Sequence, residues 1–452
     1  MAAIATLASK KEAGIFFIFN ILEISFHCKQ HMDILSAVTA QAENCHMPTT
    51  QKKYSPERTS YDVVIVGGAM LGSSVAWFLS SNPDFTGSIL VAEKDPTYEF
   101  CSTAHTNSCV RQQFSTEINI RISQFTVDFV KNFRDYMGGS PDVPDLTLQS
   151  FGYLYLADNH SFADELRARQ KVQERCGAGT KIFTPEELKA NYGFYNLDDI
   201  ILCSLNTENE GYFEGSTIFE WWRRSARKQG AEYIANEVIS MTKSANGQKI
   251  EAITLATGEV ISCGTVINAT GPRAALTAKM AGIDIPVEPR KRYTYIFAAE
   301  DNLGRDLPLT IDPSGMHMRQ YGQQFMAGSP PDPDPAVDPD DFTEDHSLWE
   351  QHVWPMLANR VPQFERIRMT SSWAGHYAFN VFDHNAIIGP HSEISNFLFV
   401  NGFSGHGLQQ SPAMGRGISE LVTYGEYRSL DLSSFSYQRI VNNEHMHEKA
   451  VI

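Results

Sequence analysis

Basic charge is scarce in this chain: 37 Lys and Arg stand against 53 Asp and Glu, for a formal net charge of −16, and no run of five basic residues occurs. Phosphate backbones and anionic lipid surfaces are bound by clustered cations, so neither nucleic acid nor membrane is an expected partner. Metal and disulfide patterns are also missing. The seven cysteines (Cys28, Cys45, Cys101, Cys109, Cys176, Cys203, Cys263) show no C-x-x-C and no zinc-like spacing, which points to no metal and to a reducing compartment. No transmembrane segment is expected: the apolar run Gly14 to Phe26 is interrupted by Asn20 and Glu23 and falls short of the roughly 20 residues that span a bilayer. Arginine is absent before Arg58, whereas Glu12, Glu23, Asp33 and Glu43 are present, the reverse of a mitochondrial presequence. A cytoplasmic protein is expected, with the mitochondrial matrix as the alternative.

What is present is ordinary globular material. At 452 residues and 42% apolar, the chain can build a full core and two domains. Residues 1–57 read as a poorly ordered extension, with translation from Met47 as one account of it, and the fold is expected to start near Ser60.

The first chemical signal follows at once. "YDVVIV" (Tyr61 to Val66) is the continuous β-branched run of a buried parallel strand. "LGSSVAWFLSS" (Leu71 to Ser81) has helical spacing. Between them lies "VGGAMLG", a dinucleotide fingerprint in which Gly67 and Gly72 occupy the first and third glycine positions and Ala69 replaces the second. Gly68 gives the loop freedom, and Leu71 opens a helix whose N-terminal N–H groups suit a pyrophosphate. The next strand ends in Glu93, 21 residues after Gly72, where an acid binds ribose hydroxyls. Lys94 beside it and Val238 are further cofactor-binding candidates.

Such a loop serves NAD or FAD, and three later segments favour FAD. "CSTAHTNSCVRQQFS" (Cys101 to Ser115) offers Ser102 and Thr103 to a phosphate and the flavin side. "GTVINATGPRAA" (Gly264 to Ala275) ends a strand in Ala269, Thr270 and Gly271, about 200 residues after the first loop, so another domain is inserted between the halves of the cofactor domain. "NFLFVNGFSGHGLQQSPAMGRGISELV" (Asn396 to Val422) is strand, turn and helix again; Gly402, Gly405, Gly407, Leu408 and Gln409 there would meet a ligand that becomes anionic on reduction. A nicotinamide domain has no use for the last two segments.

At these residues the chain resembles the D-amino-acid oxidase and sarcosine oxidase type of FAD-dependent oxidoreductases, over about residues 60 to 437. The resemblance implies an α/β (α+β overall) protein: a discontinuous Rossmann-like FAD-binding domain with a parallel sheet (58–145, 205–280 and 376–440), a substrate domain with a mainly antiparallel sheet (146–204 and 281–375), and a tail at 441–452. Within the substrate domain, "SPPDPDPAVDPDD" (Ser329 to Asp341) has neither period and reads as a solvated loop, with a lid over the active site as the alternative.

Family chemistry is hydride removal from a carbon next to an amine. The resemblance gives Arg111 the role of pairing with a substrate carboxylate, which a planar guanidinium suits, and Arg319 is a second anion-binding candidate. His406 is implied to sit at the turn under the flavin and Tyr377 to line the substrate cavity. His105 matches the histidine that carries flavin covalently in dimethylglycine and sarcosine dehydrogenases; an unmodified polar residue is the alternative. The departures are as informative. The segment that should hold an oxygen-activating lysine and a substrate histidine reads "QQFMAGSPPD" and holds neither; Gln409 replaces a carboxylate-binding lysine and Gly375 a flavin-linking cysteine. A small amine or (N-methylated or secondary) amino-acid substrate and an unidentified electron acceptor are therefore expected, with a dehydrogenase favoured over an oxidase. A branch of the same family implies the alternative of a flavoprotein that assists assembly of a respiratory complex, with catalysis secondary or lost.

Overall fold

In the computed structural model, residues 53–449 are described; the first 52 residues, with most of the expected extension and the alternative start at Met47, lie outside them. Ser60–Val66 is a strand with both faces covered: Val63, Val64 and Ile65 are at most 1% exposed. It is the centre of an eight-stranded sheet. Val260–Asn268 and Ile89–Glu93 flank it in parallel, Phe397–Asn401 extends one side and Glu232–Ala235 the other, again in parallel. Ile387–Pro390 closes one edge antiparallel, and Val238–Lys243 with Ile250–Leu255 forms an antiparallel meander on Val260–Asn268. Five parallel strands drawn from three distant parts of the chain thus end their carboxyl termini along one edge, the place where open α/β sheets bind ligands.

Helices cover this sheet closely because small residues let them. Met70–Ser81 packs on Gly407–Tyr424, where a Cβ added at Gly415 would lie 2.0 Å from Ser74 Oγ, and the Ser74 hydroxyl donates to Ser411 O at 2.7 Å. Gly407–Tyr424 contains Pro412, whose missing N–H strands the carbonyl of Leu408; Ser411 Oγ donates to that carbonyl at 2.7 Å and keeps the helix intact.

The second eight-stranded sheet runs in the order Ile367–Asn380, Val287–Ala299, Gln324–Ser329, His317–Tyr321, Leu309–Ile311, Tyr153–Ala157, Leu202–Asn206, Lys181–Phe183. All neighbours are antiparallel except Leu309–Ile311 with Tyr153–Ala157. Ile367–Asn380 crosses the expected boundary at residue 376 and stays with this sheet to its end. The segment after 441 is tied down: Glu448 is buried and accepts from Ser115 N (2.9 Å), Ser115 Oγ (2.7 Å), Thr116 Oγ1 (3.0 Å) and Asn119 Nδ2 (3.0 Å).

Candidate active site

A cavity of about 570 Å³ runs along the carboxyl edge of the parallel sheet and under the second sheet. At one end Gly67, Ala69, Leu71, Glu93, Lys94 and Val238 line it; at the other Gly405, His406, Gly407, Leu408 and Gln409 do. Ser102, Thr103, His105, Ala269 and Gly271 lie along the walls, as do Arg111 and Tyr377. Of the residues singled out in the sequence, Gly68, Gly72, Gly402 and Arg319 are outside the lining.

The first three of these act from behind. Gly67 has φ +94°, and a Cβ there would meet Ala269 O at 2.7 Å. A Cβ at Gly72 would sit 1.9 Å from Gly67 O, so helix and loop touch through backbone alone. Gly68 N donates to Glu93 Oε2 at 2.7 Å and Asp95 N to Glu93 Oε1 at 2.8 Å. Burial pushes the Glu93 carboxyl up, and each oxygen keeps a lone pair for a ribose hydroxyl. Ala69 caps Met70–Ser81 without a side-chain bond, at φ −71° and ψ −159°, extended backbone open to any residue. Gly402 (φ +71°) sits where a Cβ would meet Val287 Cγ2 at 3.1 Å. This glycine cradle, half-buried acid and pair of helix N-termini suit a dinucleotide, FAD included.

Arg319 is held behind the lining: it is buried, and its guanidinium donates to Gln320 O at 2.6 Å and Asn107 O at 2.8 Å, so it braces the Asn107 loop.

Arg111 is different. It is 2% exposed, its Nη2 lies 2.8 Å from His406 Nε2, and its backbone N donates to Gln409 Oε1 at 3.0 Å. A guanidinium only donates, so in this contact the acceptor is His406 Nε2. Phe114 packs under the arginine, 4.6 Å from its carbon to the ring centroid. Tyr377 stands against Gly405, where a Cβ would be 2.5 Å from its ring, and burial raises its phenol. His105 donates from Nδ1 to Cys101 O at 3.0 Å and packs on Gly375, where a Cβ would be 2.8 Å from its own.

Several lining residues escaped the sequence reading. Arg292 stacks over Tyr377 (4.8 Å) and is bidentate to Asp334, both bonds 2.9 Å. His317 lines the wall in neutral form: burial, with Arg292 and Arg319 adding, pushes its pKa down to about 4. The proline- and aspartate-rich loop is not a free excursion. Besides Asp334, Asp340 pairs with Arg273 and with Lys94 (3.5 Å), and Asp341 pairs with the buried Lys291 (2.8 Å), which holds its carboxyl well below the usual range. Pro339, Asp340 and Phe342 face the cavity, and Phe342 packs on Phe100, His105 and His376. The signal was available as complementary charge, the basic "RKR" at 290–292 against the acidic run at 332–341. Partly exposed pairs are screened by salt, so the loop is expected to act as a clasp whose grip weakens severalfold in rate when salt rises from 0.05 M to about 1 M. Release of FAD, followed by free-flavin fluorescence after dilution, checks this; equal rates at both salts would mean the loop does not restrain the cofactor.

Comparison with known proteins agrees with this geometry. The family model described as FAD dependent oxidoreductase (DAO) matches residues 62–421. FAD-dependent oxidoreductase domain-containing protein 1 of Xenopus laevis is 35% identical over 429 residues, covering 88% of this chain and 85% of that protein. The 4-methylaminobutanoate oxidase (formaldehyde-forming) of Paenarthrobacter nicotinovorans is 22% identical over 404 residues, 87% of this chain and 47% of its own. Among solved structures, L-proline dehydrogenase from P. horikoshii superimposes with a TM-score of 0.73 at 26% identity, over 86% of this chain and all of that one. Among the described residues, no helix is long and apolar enough to cross a membrane and no cluster of metal-ligating side chains occurs.

Proposed function

The chain belongs to the FAD-dependent oxidoreductase family, and on that premise we propose that it oxidises the CH–NH bond of a small secondary or N-methylated amino acid and passes the electrons to an acceptor other than oxygen. The observation that carries this is Arg111, a buried guanidinium in the cavity wall with His406 Nε2 2.8 Å from it. When bound, FAD supplies the hydride acceptor. The protein's part is placement. Gly67 to Leu71 and Glu93 would hold the nucleotide end, and the Gly407–Tyr424 N-terminus would offer N–H groups to the ring end. Arg111 fixes a substrate carboxylate, so that the amine-bearing carbon has one position rather than many. Tyr377 closes the cavity wall beside it. The relatives named for L-proline and for 4-methylaminobutanoate take their names from secondary amines that carry a carboxylate, which favours the same class here.

The preference for a dehydrogenase rests on charge. Positive charge beside the reacting ring lowers the cost of forming superoxide. Among the described lining residues the one lysine is Lys94, on the strand end next to Glu93; of the arginines, Arg292 is paired with Asp334 and Arg273 with Asp340, and the charge of Arg111 is met by the carboxylate it anchors. On this reading the segments within 58–145, 205–280 and 376–440 hold the cofactor and the second sheet holds the substrate.

Anaerobic bleaching of the flavin absorbance against sarcosine, dimethylglycine, proline, glycine betaine and D- and L-amino acids tests the proposal. Bleaching by one secondary or N-methylated amino acid, with slow recovery in air, is the expected result. Rapid recovery in air would overturn the dehydrogenase reading. A flavin that no amine reduces would leave the assembly role as the better account.

A further inference from the structure

Glu210 lies outside the cavity lining, yet it is built into the arginine's support. The two-residue strand Gly211–Tyr212 pairs antiparallel with Cys109–Val110, matching Val110 to Gly211, which brings Glu210 alongside the Arg111 segment. Its side chain is 0% exposed. It accepts from Gln112 N (2.6 Å), Gln113 Nε2 (3.0 Å) and Asn206 Nδ2 (2.9 Å), so two of its three donors are the residues that follow Arg111. Its three hydrogen-bond donors are all neutral amides, and the Arg111 charge favours its ionised form less than they do. A buried carboxylate held by neutral amides pays heavily for its charge, and burial pushes Glu210 up to about 7 against the three donors and Arg111. The other titratable groups facing it are the Tyr153 and Tyr155 phenols on the adjoining strand, both raised by burial and so neutral, while Glu448 and His406 act on Arg111.

We infer that Glu210 is a proton-accepting counter-charge to Arg111, so that a carboxylate binding at Arg111 is accompanied by uptake of a proton at Glu210. The inference rests on the proposed role of Arg111 as the carboxylate anchor. One guanidinium compensates two anions poorly in a medium of low dielectric. Once an incoming carboxylate takes up the Arg111 field, the ionised form of Glu210 loses its support and the protonated form is favoured. Linkage then requires the converse, that protonated enzyme binds the anion more tightly.

Acetate is a suitable probe, since a carboxyl with an ordinary pKa near 4 stays ionised from about pH 6 to 9. Its affinity for the FAD-loaded enzyme is read from the perturbation of the flavin absorbance, and no turnover is needed. The expected wild-type result is a Kd that is level below about pH 7 and rises up to about tenfold per pH unit above it, the limit for one linked proton. Glu210→Gln fixes the neutral form and is expected to hold the low-pH Kd at every pH. A second measurement needs no variant: in weak buffer at pH 8, with an indicator dye, acetate is expected to draw about one proton per site. A wild-type Kd that does not change with pH, no proton uptake, or an unchanged slope in Glu210→Gln would overturn the coupling while leaving Arg111 as the anchor. No perturbation by acetate at any pH would remove the carboxylate anchor and the coupling together.

Discussion

Replacing Arg111 with methionine is expected to raise the KM for a carboxylate-bearing amine by about 10²- to 10³-fold while the FAD content stays normal. Removing one member of a buried charge pair costs roughly 3–5 kcal/mol, and about 1.4 kcal/mol corresponds to a decade in affinity. Methionine preserves most of the apolar stem that packs on Phe114, 4.6 Å away, so the loss is electrostatic rather than a cavity. Lysine is no better a replacement. Its single ammonium cannot satisfy His406 Nε2 at 2.8 Å and grip a carboxylate through a fork as well. The control is the same amine without its carboxylate, whose weaker turnover should be the same in wild type and Arg111→Met. Equal damage with both amines would make Arg111 a structural residue and remove the anchor from the mechanism. The measurement is steady-state turnover with an artificial dye acceptor, at matched flavin content.

How much of this was legible in the sequence depended on the range of the interactions involved. The strand, glycine loop, helix and Glu93 are written within about 35 residues, and period, glycine spacing and an acid at a fixed distance survive without tertiary knowledge. The parallel sheet as a whole came from the family resemblance, although Val260–Asn268 and Phe397–Asn401 read as strands that run into the small residues Ala269 and Gly402. Arg111, His406 and Tyr377 were found through the family resemblance, and the structure brings all three into one cavity wall. Arg319 was a second candidate in the sequence, without the family match that singled out Arg111. What separates them in the structure is which backbone carbonyls lie nearby, and a string of letters does not carry that. The proline- and aspartate-rich loop misled for a related reason. Its composition favours solvent, but Arg292, Arg273 and Lys291 come from segments tens of residues away and pull it across the cavity. Glu210 was invisible on the same grounds: an acid in "NTENEGY" reads as a turn residue, and only strand pairing shows that it holds the arginine segment.

The fingerprint's missing glycine leads to the second large effect. Gly72→Ala is expected to destabilise the protein by about 4 kcal/mol or more and to leave less than about a tenth of the normal FAD, whereas Ala69→Gly should change FAD affinity by less than about threefold. The two positions look alike in the pattern but answer to different constraints. A Cβ at Gly72 would lie 1.9 Å from Gly67 O and 3.0 Å from Gly67 C, far inside contact distance, and both atoms are backbone. Gly67 cannot retreat, because at φ +94° it already sits where an added Cβ would meet Ala269 O at 2.7 Å. Relief requires the loop to leave the helix N-terminus, and that takes the pyrophosphate amides with it. At Ala69 the backbone has φ −71° and ψ −159°, so no left-handed conformation is demanded, and the only cost of the native methyl is its size next to the ligand. Restoring glycine there adds chain entropy to the unfolded state, about 0.4–1 kcal/mol against folding, and frees little space that the cofactor needs. Flavin absorbance per mole of protein, together with urea unfolding of both variants, reads the two effects side by side. A flavin-replete Gly72→Ala would mean that helix and loop are farther apart than the geometry states, and a large gain in FAD affinity for Ala69→Gly would mean that the methyl does obstruct the phosphates.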